Sequence, residues 1–143
     1  MMENFIIEPL KGYGDFQFGM SIDEVVESLG QPSNQEEIES AYDDGNHIIV
    51  LDYEDFDLSM YFEGDTVLRL ANFYTYNENS VLFGAKIFDL NKDQIVELMK
   101  ENGYEDLIED NEDGDCFTCD ELNLDFYFDN NQLVEVFWEC QRG

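Results

Sequence analysis

The sequence predicts an α+β fold of two tandem repeats, and two observations carry that prediction. The stretch Phe18-Gly19-Met20-Ser21-Ile22-Asp23-Glu24-Val25-Val26-Glu27-Ser28-Leu29-Gly30-Gln31-Pro32 spells a helix from cap to stop, and Phe88-Asp89-Leu90-Asn91-Lys92-Asp93-Gln94-Ile95-Val96-Glu97-Leu98-Met99 repeats the layout seventy residues on. Each is followed by runs that alternate apolar and polar residues about acidic or glycine turns, the pattern of an antiparallel hairpin with one buried face. The repeats divide the chain into residues 1–76, which include an N-terminal arm, and residues 77–143.

In the first copy Ser21 and Glu24 have the spacing of a capping box. Ile22, Val25, Val26 and Leu29 then recur on one helical face, and Gly30 and Pro32 supply stop signals. In the second copy Asn91 and Gln94 take the capping places, Ile95, Leu98 and Met99 form the apolar face, and the helix gives way at Asn102-Gly103.

The rest of the chain follows in order. Phe5-Ile6-Ile7 and the turn Lys11-Gly12-Tyr13-Gly14 read as a leading strand or arm. Asn34 to Ser40 has the polar composition of a second short helix. Asp43-Asp44-Gly45-Asn46 is a turn signal before the strand Ile48-Ile49-Val50-Leu51. Leu58 to Phe62, the turn Glu63-Gly64-Asp65 and Thr66 to Tyr74 make a hairpin. Val81 to Phe88 reads as a strand leading into the second helix. Further on, Leu124 to Phe128 matches Leu58 to Phe62, and Asp129-Asn130-Asn131 stands in for Glu63-Gly64-Asp65. Gln132 to Trp138 then answers Thr66 to Asn72, the offset falling from 70 at the helices to 66 at the hairpins.

Composition narrows function more than it names it. The 143 residues are 43% hydrophobic and 15% aromatic, enough for a core, yet 35 acids against 6 bases leave a formal net charge of −29. Such a charge disfavours nucleic acid phosphates and anionic membranes, and its natural complement is a basic protein or a cation. A purely solubilising acidic surface has the same composition. No window approaches the ~20 apolar residues of a membrane span, and Met1 to Leu10 has no basic region, so the expected location is cytoplasmic. Cys116, Cys119 and Cys140, an odd set, fit reduced thiols.

Motifs for chemistry are weak. Cys116-Phe117-Thr118-Cys119 with Cys140 and His47 has zinc-ligand types, but i and i+3 residues of a strand point to opposite faces, so no metal site is assigned. The run from Glu109 to Asp120 brushes against a calcium loop, with Gly114 at the sixth place, yet it lacks the leading Asp and the closing Glu. An acidic hairpin loop is the main reading and a calcium-binding module the alternative. No G-x-S-x-G, phosphate loop or dinucleotide fingerprint is present, so no enzyme, catalytic residue or cofactor is expected. His47 reads as structural. Ordered carboxylates that imitate DNA phosphates would direct the protein to the same basic clefts.

The phrase Phe18-Gly19-Met20-Ser21, then Val25 and Leu29-Gly30-Gln31-Pro32, with an alternating hairpin downstream, resembles the repeat of beta-lactamase inhibitory protein. It is also similar to the small outer-membrane assembly lipoproteins of that fold. The resemblance implies a helical pair on one face of a four-stranded antiparallel sheet, tandem copies joined through their sheets, and an open concave face that grips a protein partner. Without a signal peptide, a lipid-attachment cysteine or evident disulfides, a cytosolic inhibitor or immunity-type protein is the nearest form, with a basic toxin or nuclease as its target.

Strand alternation places the site on this plan. If Leu58, Met60, Phe62, Leu124, Phe126 and Phe128 face the helices, Ser59, Tyr61, Asp125 and Tyr127 face away. With Leu68, Leu70, Val134 and Val136 as core, Arg69, Phe73, Glu135 and Phe137 join them. The expected partner-binding residues are therefore Tyr61, Arg69, Phe73, Asp125, Tyr127, Glu135 and Phe137, aromatic anchors among charges. A register slip of one residue would exchange the two faces.

Overall fold

Both α-helices start at the expected caps. The computed structural model of the chain describes residues 4–39, 45–110 and 115–140. Helix α1 spans Ile22–Leu29; Ser21 Oγ accepts from the Glu24 amide at 3.1 Å while Glu24 Oε1 accepts from the Ser21 amide at 3.2 Å. Helix α2 spans Lys92–Glu101, and Asn91 and Gln94 make the same reciprocal pair at 2.9 Å each way. Two otherwise orphan backbone donors are satisfied at each helix start, which sets both boundaries locally. Gly30 ends α1 with φ 86°, a conformation that costs glycine little.

The strands are β1 Ile7–Glu8, β2 Gly12–Tyr13, β3 Phe16–Gln17, β4 Asn34–Glu39, β5 His47–Tyr53, β6 Leu58–Gly64, β7 Arg69–Thr75, β8 Val81–Leu82, β9 Ala85–Lys86, β10 Ile108–Asp110, β11 Asp115–Cys119, β12 Leu124–Asp129 and β13 Gln132–Glu139. The fold is α+β and mainly antiparallel. Eight strands form one sheet in the order β10-β11-β12-β13-β7-β6-β5-β4, while β1-β2-β3 and β8-β9 form two small sheets. Strands β7 and β13 meet in the middle, with Phe73 opposite Trp138, Tyr74 opposite Phe137 and Thr75 opposite Val136.

Three expectations are corrected. Residues 34–39 form an edge strand and not a helix, because Ile38 is their one strongly apolar residue, no helical stripe exists to bury, and β5 supplies the backbone partners. Acidic side chains suit such an edge, since they oppose pairing with another chain. Ile108–Asp110 form β10, the opposite edge. Between the helices, Val81 to Phe88 is not one strand: β8 and β9 are joined by a turn in which Gly84 adopts φ 80°, and a 3₁₀ turn at Ile87–Asp89 leads toward α2.

The third correction concerns the faces of the return strands. Leu58, Met60 and Phe62 on β6 and Leu124, Phe126 and Phe128 on β12 are buried as expected. Their partners, however, carry bulges. Phe62 pairs with Leu70 and Tyr61 with Asn72, so Ala71 is an extra residue; Phe128 pairs with Leu133 and Tyr127 with Glu135, so Val134 is extra. Alternation restarts one residue later on each strand. Phe73 thereby enters the core at 0% exposure, Leu133 takes the buried place expected for Val134, and Val134 is 39% exposed.

A single buried cluster joins Val25 of α1 and Ile95 and Met99 of α2 to Leu51, Tyr53, Met60, Phe62, Phe73, Phe126, Val136 and Trp138 of the sheet. The N-terminal arm closes it over the β7–β13 seam. Tyr13 meets Trp138 and Phe73 edge-on, its hydroxyl lies 2.7 Å from Ser80 Oγ, and Trp138 Nε1 donates to the Gly12 carbonyl at 3.2 Å. Gly12 is required there: a Cβ would sit 2.0 Å from the Phe16 carbonyl oxygen.

Candidate functional site

The residues that alternate with the core set lie on the opposite face of the eight-stranded sheet, and the register arranges them in rows. One row runs Asn34, Asp52, Ser59, Tyr74, Phe137, Asp125, Thr118 and Ile108 across all eight strands. Beside it lie Val50, Tyr61, Asn72 and Glu139 toward one end, and Glu135, Tyr127 and Cys116 toward the other. The centre is therefore aromatic: Tyr61 and Phe137 meet edge-on with ring centroids 6.2 Å apart, and Tyr74 meets Tyr76 in the same way at 6.5 Å.

Carboxylates and hydroxyls pair across neighbouring strands in two matching places. Asp52 on β5 accepts from Ser59 Oγ on β6, and Asp125 on β12 accepts from Thr118 Oγ1 on β11 at 2.7 Å, with acid and hydroxyl exchanging strands. These bonds hold side chains in fixed rotamers while the rings stay only partly covered.

Electrostatics of the face follow from burial among acids. Tyr127 is pushed up to about 12, first by burial and then by Asp125, Cys116 and Glu135. Tyr74 is raised further, by burial and by Glu135, and Tyr61 is raised by burial and then by Asp52 and Glu36. Burial also raises Asp125, partly opposed by its bond from Thr118. Neutral phenols surrounded by acids give a face that is apolar at its centre and negative in its field.

Of the expected site residues, Tyr61, Asp125, Tyr127, Glu135 and Phe137 come together on this face. Arg69 stands at its margin, exposed, its Nη1 donating to the Gly19 carbonyl at 3.0 Å. Phe73 does not belong to it, since the bulge at Ala71 turns its ring into the core. Tyr74 and Asn72 take its place and were missed. The available signal was the broken alternation in Leu70-Ala71-Asn72-Phe73, where a small and a polar residue separate two large apolar ones.

Arg69 also lines a cleft of about 540 Å³ at the end of the seam, with Phe18, Leu70, Ala71 and Cys140. Cys116 is half-buried on this face and Cys119 is buried on the other, as the strand reading of that pair requires. Among the described residues no group of three or more His, Cys, Asp or Glu side chains is placed to hold a metal ion. Residues 111–114 of the calcium-like run lie outside the described residues; the flanking β10 and β11 pair antiparallel. His47 is exposed, with Nδ1 3.1 Å from Glu37 Oε1. No helix among the described residues is long and apolar enough to cross a membrane.

No family model, curated protein or solved structure matches the chain.

Proposed function

We propose that this chain is a non-catalytic binding protein of inhibitor or immunity type that sequesters a basic protein through the open face of its sheet. The observation that carries the reading is the central group Tyr61, Tyr74, Tyr127 and Phe137, partly covered rings set among Asp52, Asp125 and Glu135 in a chain of net charge −29. Aromatic anchors release much of the free energy of an interface, and the surrounding charge accelerates encounter with an opposite partner. A nuclease-type toxin, whose substrate cleft is cationic, is a partner of the right chemistry, and a cytoplasmic setting suits it.

The same reading treats the chain as a duplicated unit whose copies join sheets and keep their helices on one side. What supports it is the strand order, in which β4 to β7 and β10 to β13 run inward from opposite edges, together with the paired capping boxes, the paired bulges and the exchanged acid–hydroxyl pairs.

The test is capture of partners from source-cell lysate on the tagged protein, washed at low and then high salt, followed by the Tyr61→Ala, Tyr127→Ala double variant. One stoichiometric basic protein that survives high salt, and that the folded double variant releases, is the expected result. Only salt-labile, heterogeneous basic proteins, or undiminished binding by the variant, would sink the named face.

A further inference from the structure

Asn72 is the outlier of the open face. It follows the Ala71 bulge, opposite Tyr61 on β6 and Glu139 on β13, so its side chain shares their side of the sheet. The residue is only 9% exposed, and among the described residues its Oδ1 is the buried side-chain polar atom without a hydrogen-bond partner. The corresponding row on the other half is different in kind: there the acceptor is the carboxylate of Glu135, opposite Tyr127. A buried acceptor without a donor costs stability, so a native site that keeps one invites a functional explanation.

We infer that Asn72 and Tyr61 form a seat for an arginine side chain of the basic partner, the guanidinium donating to Asn72 Oδ1 and lying against the Tyr61 ring. The inference rests on the sequestration reading and names the chemistry its face selects. Three features favour arginine. Its planar fork of donors satisfies a lone amide oxygen and still has N–H groups for neighbouring acids, it stacks on aromatic rings, and it sheds water more readily than an ammonium. The carboxylates along the sheet supply the field: Asp52 lies opposite Ser59 on the row next to Tyr61, and Glu36 lies opposite Val50, which itself faces Tyr61. Oδ1 is covered in the free chain, so the seat requires the Asn72 amide to turn about its last torsion, a broad two-fold one, as the guanidinium arrives.

The probe is the capped tripeptide acetyl-Gly-Arg-Gly-amide, titrated into ¹⁵N-labelled protein at constant ionic strength beside its lysine counterpart. The arginine peptide is expected to shift the Asn72 side-chain amide and the Tyr61 and Asn72 backbone amides with a several-fold lower Kd than the lysine peptide. Asn72→Leu should abolish that preference, raise the thermal midpoint by deleting the unpaired acceptor, and weaken a captured basic partner by on the order of tenfold. Tyr61→Leu, a second variant in case Asn72→Leu does not fold, should bring the two peptides to equal Kd. Equal shifts from both peptides in the wild type, or an arginine preference that survives these substitutions, would overturn the seat. A partner held equally by wild type and Asn72→Leu overturns the seat and leaves sequestration standing. Failure of the wild type to retain any basic protein overturns sequestration.

Discussion

Phe73 and Trp138 face each other across the junction of β7 and β13, their rings stacked with centroids 5.2 Å apart and planes 21° from parallel. Both are fully buried, and Tyr13 of the arm packs edge-on against each. The two halves of the large sheet are thus sewn together on the core side by aromatic packing and on the other by the Tyr74–Phe137 row.

Truncating that stack tests the seam. Phe73→Ala should cost about 3–5 kcal/mol, the usual cost of removing a buried aromatic ring. Trp138→Phe should cost about 1–2 kcal/mol, because the Gly12 carbonyl loses its Nε1 donor. Urea unfolding measures both. Trp138 is the single tryptophan, so its fluorescence should be shifted to the blue and poorly quenched by acrylamide in the folded chain. A Phe73→Ala cost below about 1 kcal/mol, the range of surface changes, would return Phe73 to the face of Tyr74.

The bulge at Val134 separates two neighbours of similar composition. Leu133→Ala should lose about 2–5 kcal/mol as a core truncation, while Val134→Asp should stay within about 0.5 kcal/mol. Strict alternation without the bulge would reverse that order, so the thermal midpoints of the two variants decide the register.

Alkaline stability should report the tyrosines. Tyr127 has an ordinary value of 10.0 and is raised to about 12 in the fold, so the folded chain holds its phenol proton more tightly than the unfolded chain does. The associated stability is fully present below pH 10 and is lost as pH rises toward 12. Tyr74 acts in the same direction. Tyr127→Phe should flatten the loss measured by denaturant titration across that window. Asp125 is raised too, chiefly by burial, so its contribution is largest when protonated and declines as pH climbs through its folded value. Asp125→Asn, which keeps an acceptor for Thr118, should stabilise the protein at neutral pH and give no gain in acid.

Some of the site is legible in the sequence alone. Tyr61, Asp125 and Tyr127 follow from alternation along β6 and β12, whose core residues are large and unbroken. The same rule failed beyond Ala71 for Asn72, Phe73 and Tyr74 on one strand, and up to the bulge for Leu133 and Val134 on the other. Glu135 and Phe137 were placed correctly because they lie past the second bulge, where the expectation of Val136 as core coincides with the restarted phase.

The sequence by itself determined the helix starts, the alternating faces of β6 and β12, and an acidic surface, because capping, period-two patterning and net charge are properties of a few neighbouring residues or of composition. Tertiary structure decided the rest. Acidic segments became the edge strands β4 and β10 only because β5 and β11 offered backbone partners. Ala71 and Val134 became bulges only in the register against β6 and β12, which places Phe73, Val136 and Trp138 together in the core. Pairing between strands distant in the chain satisfies the backbone and fills the core at once, and neither demand can be read from one strand alone.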